Sequence, residues 1–120
     1  MQSTKSFSIT LVTVPSKEES EKISKSLVEK DLAACVNIIP SVQSVYKWEG
    51  EINTDNELLL VIKGRTDNLE ALEKEVLQFH SYESPEVISF AIDKGNKDYL
   101  DWMSNTLKNK FILIIILEEI

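Results

Sequence analysis

The chain has 120 residues, a net charge of −7, 42% hydrophobic and 28% charged residues, one cysteine and one histidine. That length suits a single domain, residues 1–120, able to bury a core without disulfide staples. The acidic balance and the lone arginine, Arg65, argue against nucleic acid, which needs clustered Lys and Arg, and the lone Cys35 excludes an internal disulfide and suits a reducing, cytoplasmic setting.

In chain order, the first element is a strand, "FSITLVTV", Phe7 to Val14, in which Phe7, Ile9 and Leu11 alternate with Ser8, Thr10 and Val12. Pro15 ends it. Ser16 and Glu19 have capping-box spacing, and a helix with Ile23 and Leu27 on its buried face follows. "LAACVNII", Leu32 to Ile39, reads as a buried strand. Pro40 cannot donate to a ladder and implies a bulge or bend. "VQSVYKW" then resumes alternation, with Val42, Ser44, Tyr46 and Trp48 on one face. Gly50 and Asn53 to Asn56 supply turn chemistry, and a return strand runs from Leu58 to Gly64, closing an antiparallel hairpin.

Asp67 and Glu70 have the spacing of a second capping box. Leu69, Leu72, Val76 and Phe79 then form the apolar stripe of a second helix. After the loop "HSYESPE", a strand spans Glu86 to Ile92, "DKGN" makes a turn, and "KDYLDWMSNTLK" is a third, short helix. The order β-α-β-β-α-β with a C-terminal helix predicts an α+β, ferredoxin-like antiparallel sheet with helices on one face. The tail holds seven apolar residues from Phe111 to Leu117, four of them isoleucine. A run of that kind favours burial as a strand over exposure. No run approaches the roughly 20 apolar residues of a membrane-spanning helix.

The candidate chemistry centres on "HSYESPE". Imidazole and carboxylate together suit copper or zinc, so His80, Glu83 and Glu86 are candidate metal ligands if the loop turns. A histidine at a helix C-terminus can instead cap carbonyls and complement the dipole. Tyr46, Trp48, Tyr82, Tyr99 and Trp102 read as core, cleft or interface aromatics. Lys63, at a strand end, sits either in solvent or in a cleft between subunits. Cys35, inside an apolar run, reads as packing. The acidic residues Glu49, Glu51, Asp55 and Glu57 read as a solubilising surface that collects cations loosely.

The stretches "LAACVNIIPSVQSVYKWEGEI", "ELLLVIK", "HSYESPEVI" and "DYLDWM", in that order and spacing, resemble the CutA divalent-cation tolerance proteins. The resemblance covers about Ile9 to Leu107. It implies a ferredoxin-like fold in a tight homotrimer similar to the PII signalling proteins. It also implies a non-enzymatic role in binding divalent cations such as copper, with no obligatory cofactor, and makes Cys35 a second candidate ligand. Three departures stand out: Ser81 where the family usually has proline, Gly64 where it usually has threonine, and the apolar extension over residues 111–120. Two other classes share the topology. An acylphosphatase needs an arginine-bearing phosphate loop after the first strand, where this chain has "VPSKEES". An RNA-recognition domain needs stacked aromatics on its third strand, where this chain has "LLLVIKG". A PII-like ligand sensor is the remaining alternative, and the short acidic hairpin reversal offers it no phosphate-binding loop.

Overall fold

The computed structural model describes residues 1–107. The apolar run Phe111–Leu117, expected to be buried, lies outside the described residues. The elements are β1 (Gln2–Ser3), β2 (Phe7–Val14), α1 (Lys17–Glu29), β3 (Cys35–Trp48), β4 (Glu51–Arg65), α2 (Leu69–Phe79), β5 (Val87–Ala91), β6 (Lys94–Gly95) and α3 (Lys97–Thr106). The main sheet has the order β3-β4-β2-β5, and every neighbouring pair is antiparallel. With α1 and α2 crossing one face, this is the ferredoxin-like arrangement expected from the element order.

Several expected details take a different form. Ser16 Oγ accepts from the Glu19 backbone N–H at 3.2 Å, but the Glu19 carboxylate does not close the box. It turns to the Ser81 backbone N–H instead, at 2.7 Å. Asp67 caps no helix. It pairs with Arg65 at 2.9 Å inside a 3₁₀ turn over Thr66–Asn68, and α2 starts after Asn68. The hairpin reverses at Glu49–Gly50, where φ is 50° and 81°. Two consecutive left-handed residues make the tight turn whose twist matches paired strands. Asn53–Asn56 therefore belong to β4, which begins at Glu51 rather than at Leu58. Cross-strand pairing with β3 outweighs their low strand propensity. Pro40 does mark an irregularity, a register shift between Ile39 and Val42. The expected turn at "DKGN" carries a two-residue strand, β6, which pairs with β1.

The core forms where Val12, Val14, Leu60 and Ile62 meet Ile23 and Leu27 of α1 and Leu72 and Val76 of α2, all buried. On β2 the helix-covered face is the Ser8, Thr10, Val12, Val14 side. The two hydroxyls tolerate burial because each has a partner 2.7 Å away, Thr66 Oγ1 for Ser8 and Ser89 Oγ for Thr10. The other face carries Ile9 and Leu11 of β2, Leu59 and Val61 of β4, and Ile88 and Phe90 of β5, aligned by the strand registers. α3 covers only the Phe7 end of it, where Phe7 packs with Leu100, Met103 and Leu107. Ile88 and Phe90 remain 53% exposed.

Between the helices, Lys30 Nζ donates to both Glu75 oxygens at 2.9 and 2.8 Å, and Ser26 Oγ donates at 3.2 Å. Lys30 holds the Glu75 carboxyl below its ordinary range. A carboxyl lowered on folding stabilises the fold above its unfolded pKa, and that stabilisation fades as pH falls through the folded value. Glu75→Gln should therefore melt below wild type at pH 7, and the two curves should converge on acidification below the usual carboxylate range. A gap in melting temperature that does not change with pH would assign the effect to packing alone.

Candidate ligand groove

The outer part of the β3–β4 hairpin and the loop after α2 enclose an open groove of about 830 Å³. The hairpin contributes Ser44, Tyr46, Trp48, Asp55 and Glu57, which the register places on one face. The loop contributes Ser81, Tyr82, Glu83, Ser84 and Glu86. None of the described residues lining it is Lys, Arg or His.

The loop is held from three directions. His80 is 9% exposed, and its two ring nitrogens are both engaged. Nδ1 lies 3.0 Å from the Tyr82 backbone N–H, which can only donate, so Nδ1 accepts. Nε2 lies 2.8 Å from the Thr13 carbonyl, which can only accept, so Nε2 carries the hydrogen. The imidazole is the neutral tautomer, linking the end of β2 to the loop. The Glu19 carboxylate from α1 takes the neighbouring Ser81 N–H. The Tyr82 ring then packs tilted against His80, with ring centroids 4.8 Å apart.

The tyrosines are donors. Tyr82 Oη donates to Glu57 Oε2 at 3.0 Å, and Tyr46 Oη donates to Asp55. Burial, reinforced by Glu57, pushes the Tyr82 phenol up to about 12. Asp55 likewise raises Tyr46. Both phenols therefore stay protonated at neutral pH and serve as neutral donors. Glu57 is itself buried, and Glu83 and Glu86 make no hydrogen bond or ion pair among the described residues.

Glu83 and Glu86 thus face the groove, but His80 lies behind it with no free nitrogen lone pair. The three do not form one donor set, and among the described residues no group of three or more His, Cys, Asp or Glu is placed to hold a metal. The other candidates divide between two places. Tyr46, Trp48 and Tyr82 line the groove. Lys63, Tyr99 and Trp102 gather near α3, with Lys63 Nζ 5.6 Å from the Tyr99 ring centre and the Tyr99 and Trp102 rings 5.4 Å apart. Cys35 is the register partner of Lys63 on the partly uncovered sheet face, with Sγ 3.8 Å from Asn37 Oδ1. Reading the sequence missed Asp55 and Glu57, taken there as surface charge, and Glu19, taken as a cap. Placing the turn at Glu49–Gly50 would have put Asp55 and Glu57 on the Tyr46 face.

Comparison with known proteins gives a consistent result. The profile described as "CutA1 divalent ion tolerance protein" matches residues 8–106. The "Divalent-cation tolerance protein CutA" of Thermus thermophilus is 46% identical over 95 residues, covering 79% of this chain and 92% of that protein. The chloroplastic "Protein CutA" of Arabidopsis thaliana is 46% identical over 101 residues, covering 84% of this chain. The match spans only 56% of the Arabidopsis protein's own length. The crystal structure of CutA1 from Oryza sativa superposes with a TM-score of 0.84 at 44% identity, covering 90% of this chain and 99% of that one. Among the described residues no helix is long and apolar enough to cross a membrane.

Proposed function

The chain belongs to the CutA1 divalent ion tolerance family, and from that premise we propose that it serves divalent-cation tolerance as a non-enzymatic, cytoplasmic homotrimer. The observation that carries the metal reading is the groove: four carboxylates, Asp55, Glu57, Glu83 and Glu86, with no positive side chain among its described lining residues. Glu83 and Glu86 are the inner ligands, because Asp55 and Glu57 already accept from tyrosines. Water or a second subunit completes the shell, and His80 positions the loop rather than ligating. Copper(II) ranks first among the divalent first-row ions at such a site by the Irving–Williams order. The trimer is supported by the apolar sheet face that α1, α2 and most of α3 leave uncovered among the described residues. A surface that includes Ile88 and Phe90, each 53% exposed, is characteristic of a surface that another chain covers.

Calorimetric titration with Cu(II) tests the metal site. Glu83→Gln/Glu86→Gln should weaken binding by about tenfold or more, equivalent to about 1.4 kcal/mol. His80→Ala, which loosens the loop but removes no ligand, should weaken binding less than the double variant. Undiminished binding by the double variant would place the metal elsewhere and overturn this reading.

A further inference from the structure

We propose that the groove also takes an organic ammonium cation, one with alkyl groups around a positively charged nitrogen. This goes beyond the divalent-cation reading and does not depend on it. The walls supply aromatic surface first: Tyr46, Trp48 and Tyr82 all line the groove, and within the single protomer they are 41%, 63% and 38% exposed. A cation over aromatic faces is attracted by the negative ring quadrupole, most strongly over tryptophan. Alkyl groups on the nitrogen add apolar contact with the same rings.

Size points the same way. At about 830 Å³ the groove matches small-molecule sites, roughly 300–1,000 Å³, and far exceeds what a bare ion fills. The donor arrangement agrees, since no three ligating side chains converge among the described residues. A diffuse organic cation needs no inner-sphere ligand triad. It needs net negative potential and a surface that replaces its weak hydration. Glu83 and Glu86 supply unpaired charge at the rim. The Tyr46 and Tyr82 hydroxyls donate to Asp55 and Glu57, which fixes both rings in the groove wall. The two kinds of cation would share Glu83 and Glu86, so they should exclude one another.

The test is titration of the full chain with tetramethylammonium and choline, followed by ¹⁵N chemical shifts, beside the uncharged isostere 3,3-dimethylbutan-1-ol. Saturable binding of the ammonium probes is expected, with shifts confined to Tyr46, Trp48 and residues 81–86. Trp48→Leu and Glu83→Gln, two exposed substitutions, should each weaken it by about fivefold or more, and Cu(II) should displace the probe. Equal binding of the isostere would overturn the proposal, as would shifts that neither substitution alters. No ammonium binding alongside intact Cu(II) binding would sink this inference alone. Ammonium binding without Cu(II) binding would sink the divalent-cation reading alone.

Discussion

Ile88→Glu/Phe90→Glu should turn the proposed trimer into a monomer at micromolar concentration in sedimentation equilibrium, with a large fall in melting temperature. Both side chains lie on the sheet face away from α1 and α2, in register with Leu11 and Ile9. Completing the burial of a half-exposed Ile or Phe contributes roughly 1–1.5 kcal/mol per residue, in every protomer. An unpaired carboxylate forced into the same contact costs several kcal/mol. The sign of the effect on assembly therefore does not depend on the interface geometry. An isolated protomer, by contrast, should tolerate the changes, because Ile88 and Phe90 are each 53% exposed there. A wild-type chain that sediments as a monomer, or a double variant that stays trimeric, would remove this face from the interface.

His80→Ala should cost about 1–3 kcal/mol in urea unfolding, because it leaves two part-buried backbone groups without their partner and removes a buried ring. The Thr13 carbonyl loses its donor and the Tyr82 N–H loses its acceptor. Amide exchange at Tyr82 should accelerate accordingly, and the Tyr82 ring should lose the imidazole it packs against. A histidine acting only as a surface metal ligand would leave the metal-free protein's stability and that amide unchanged.

The sequence announced the elements better than their surroundings. β2 has the bounds Phe7–Val14 that its alternation marks. Pro40 lies at the register break because its missing donor is a local fact of chemistry. What alternation could not say is which face of β2 the helices cover. Ser8 and Thr10 go under the helices, and Ile9 and Leu11 face away, because Thr66 and Ser89 wait as hydroxyl partners. That choice depends on residues 58 and 79 positions away, beyond any local pattern. The site was legible in part for the same reason. "HSYESPE" identified the loop, but His80's partners lie at Thr13 and within the loop backbone, and only tertiary structure turns the ring inward.

The register break at Ile39/Val42 has a mechanical side. Below it, β4 is flanked by both β3 and β2, which pairs with it from Leu58 to Arg65. Beyond it, among the described residues, 42–57 find strand partners only in each other, a two-stranded ribbon tipped by Glu49–Gly50 and tied to the loop by Tyr82 Oη on Glu57. Such ribbons twist more than strands inside a sheet. The groove thus has the form of a caliper with one clamped jaw and one cantilevered jaw. The loop is the fixed jaw, clamped by Thr13, Glu19 and His80. The ribbon is the cantilevered one, carrying Tyr46 and Trp48 out from a root near Pro40, and the Tyr82–Glu57 hydrogen bond is the pin that sets the gap between the two.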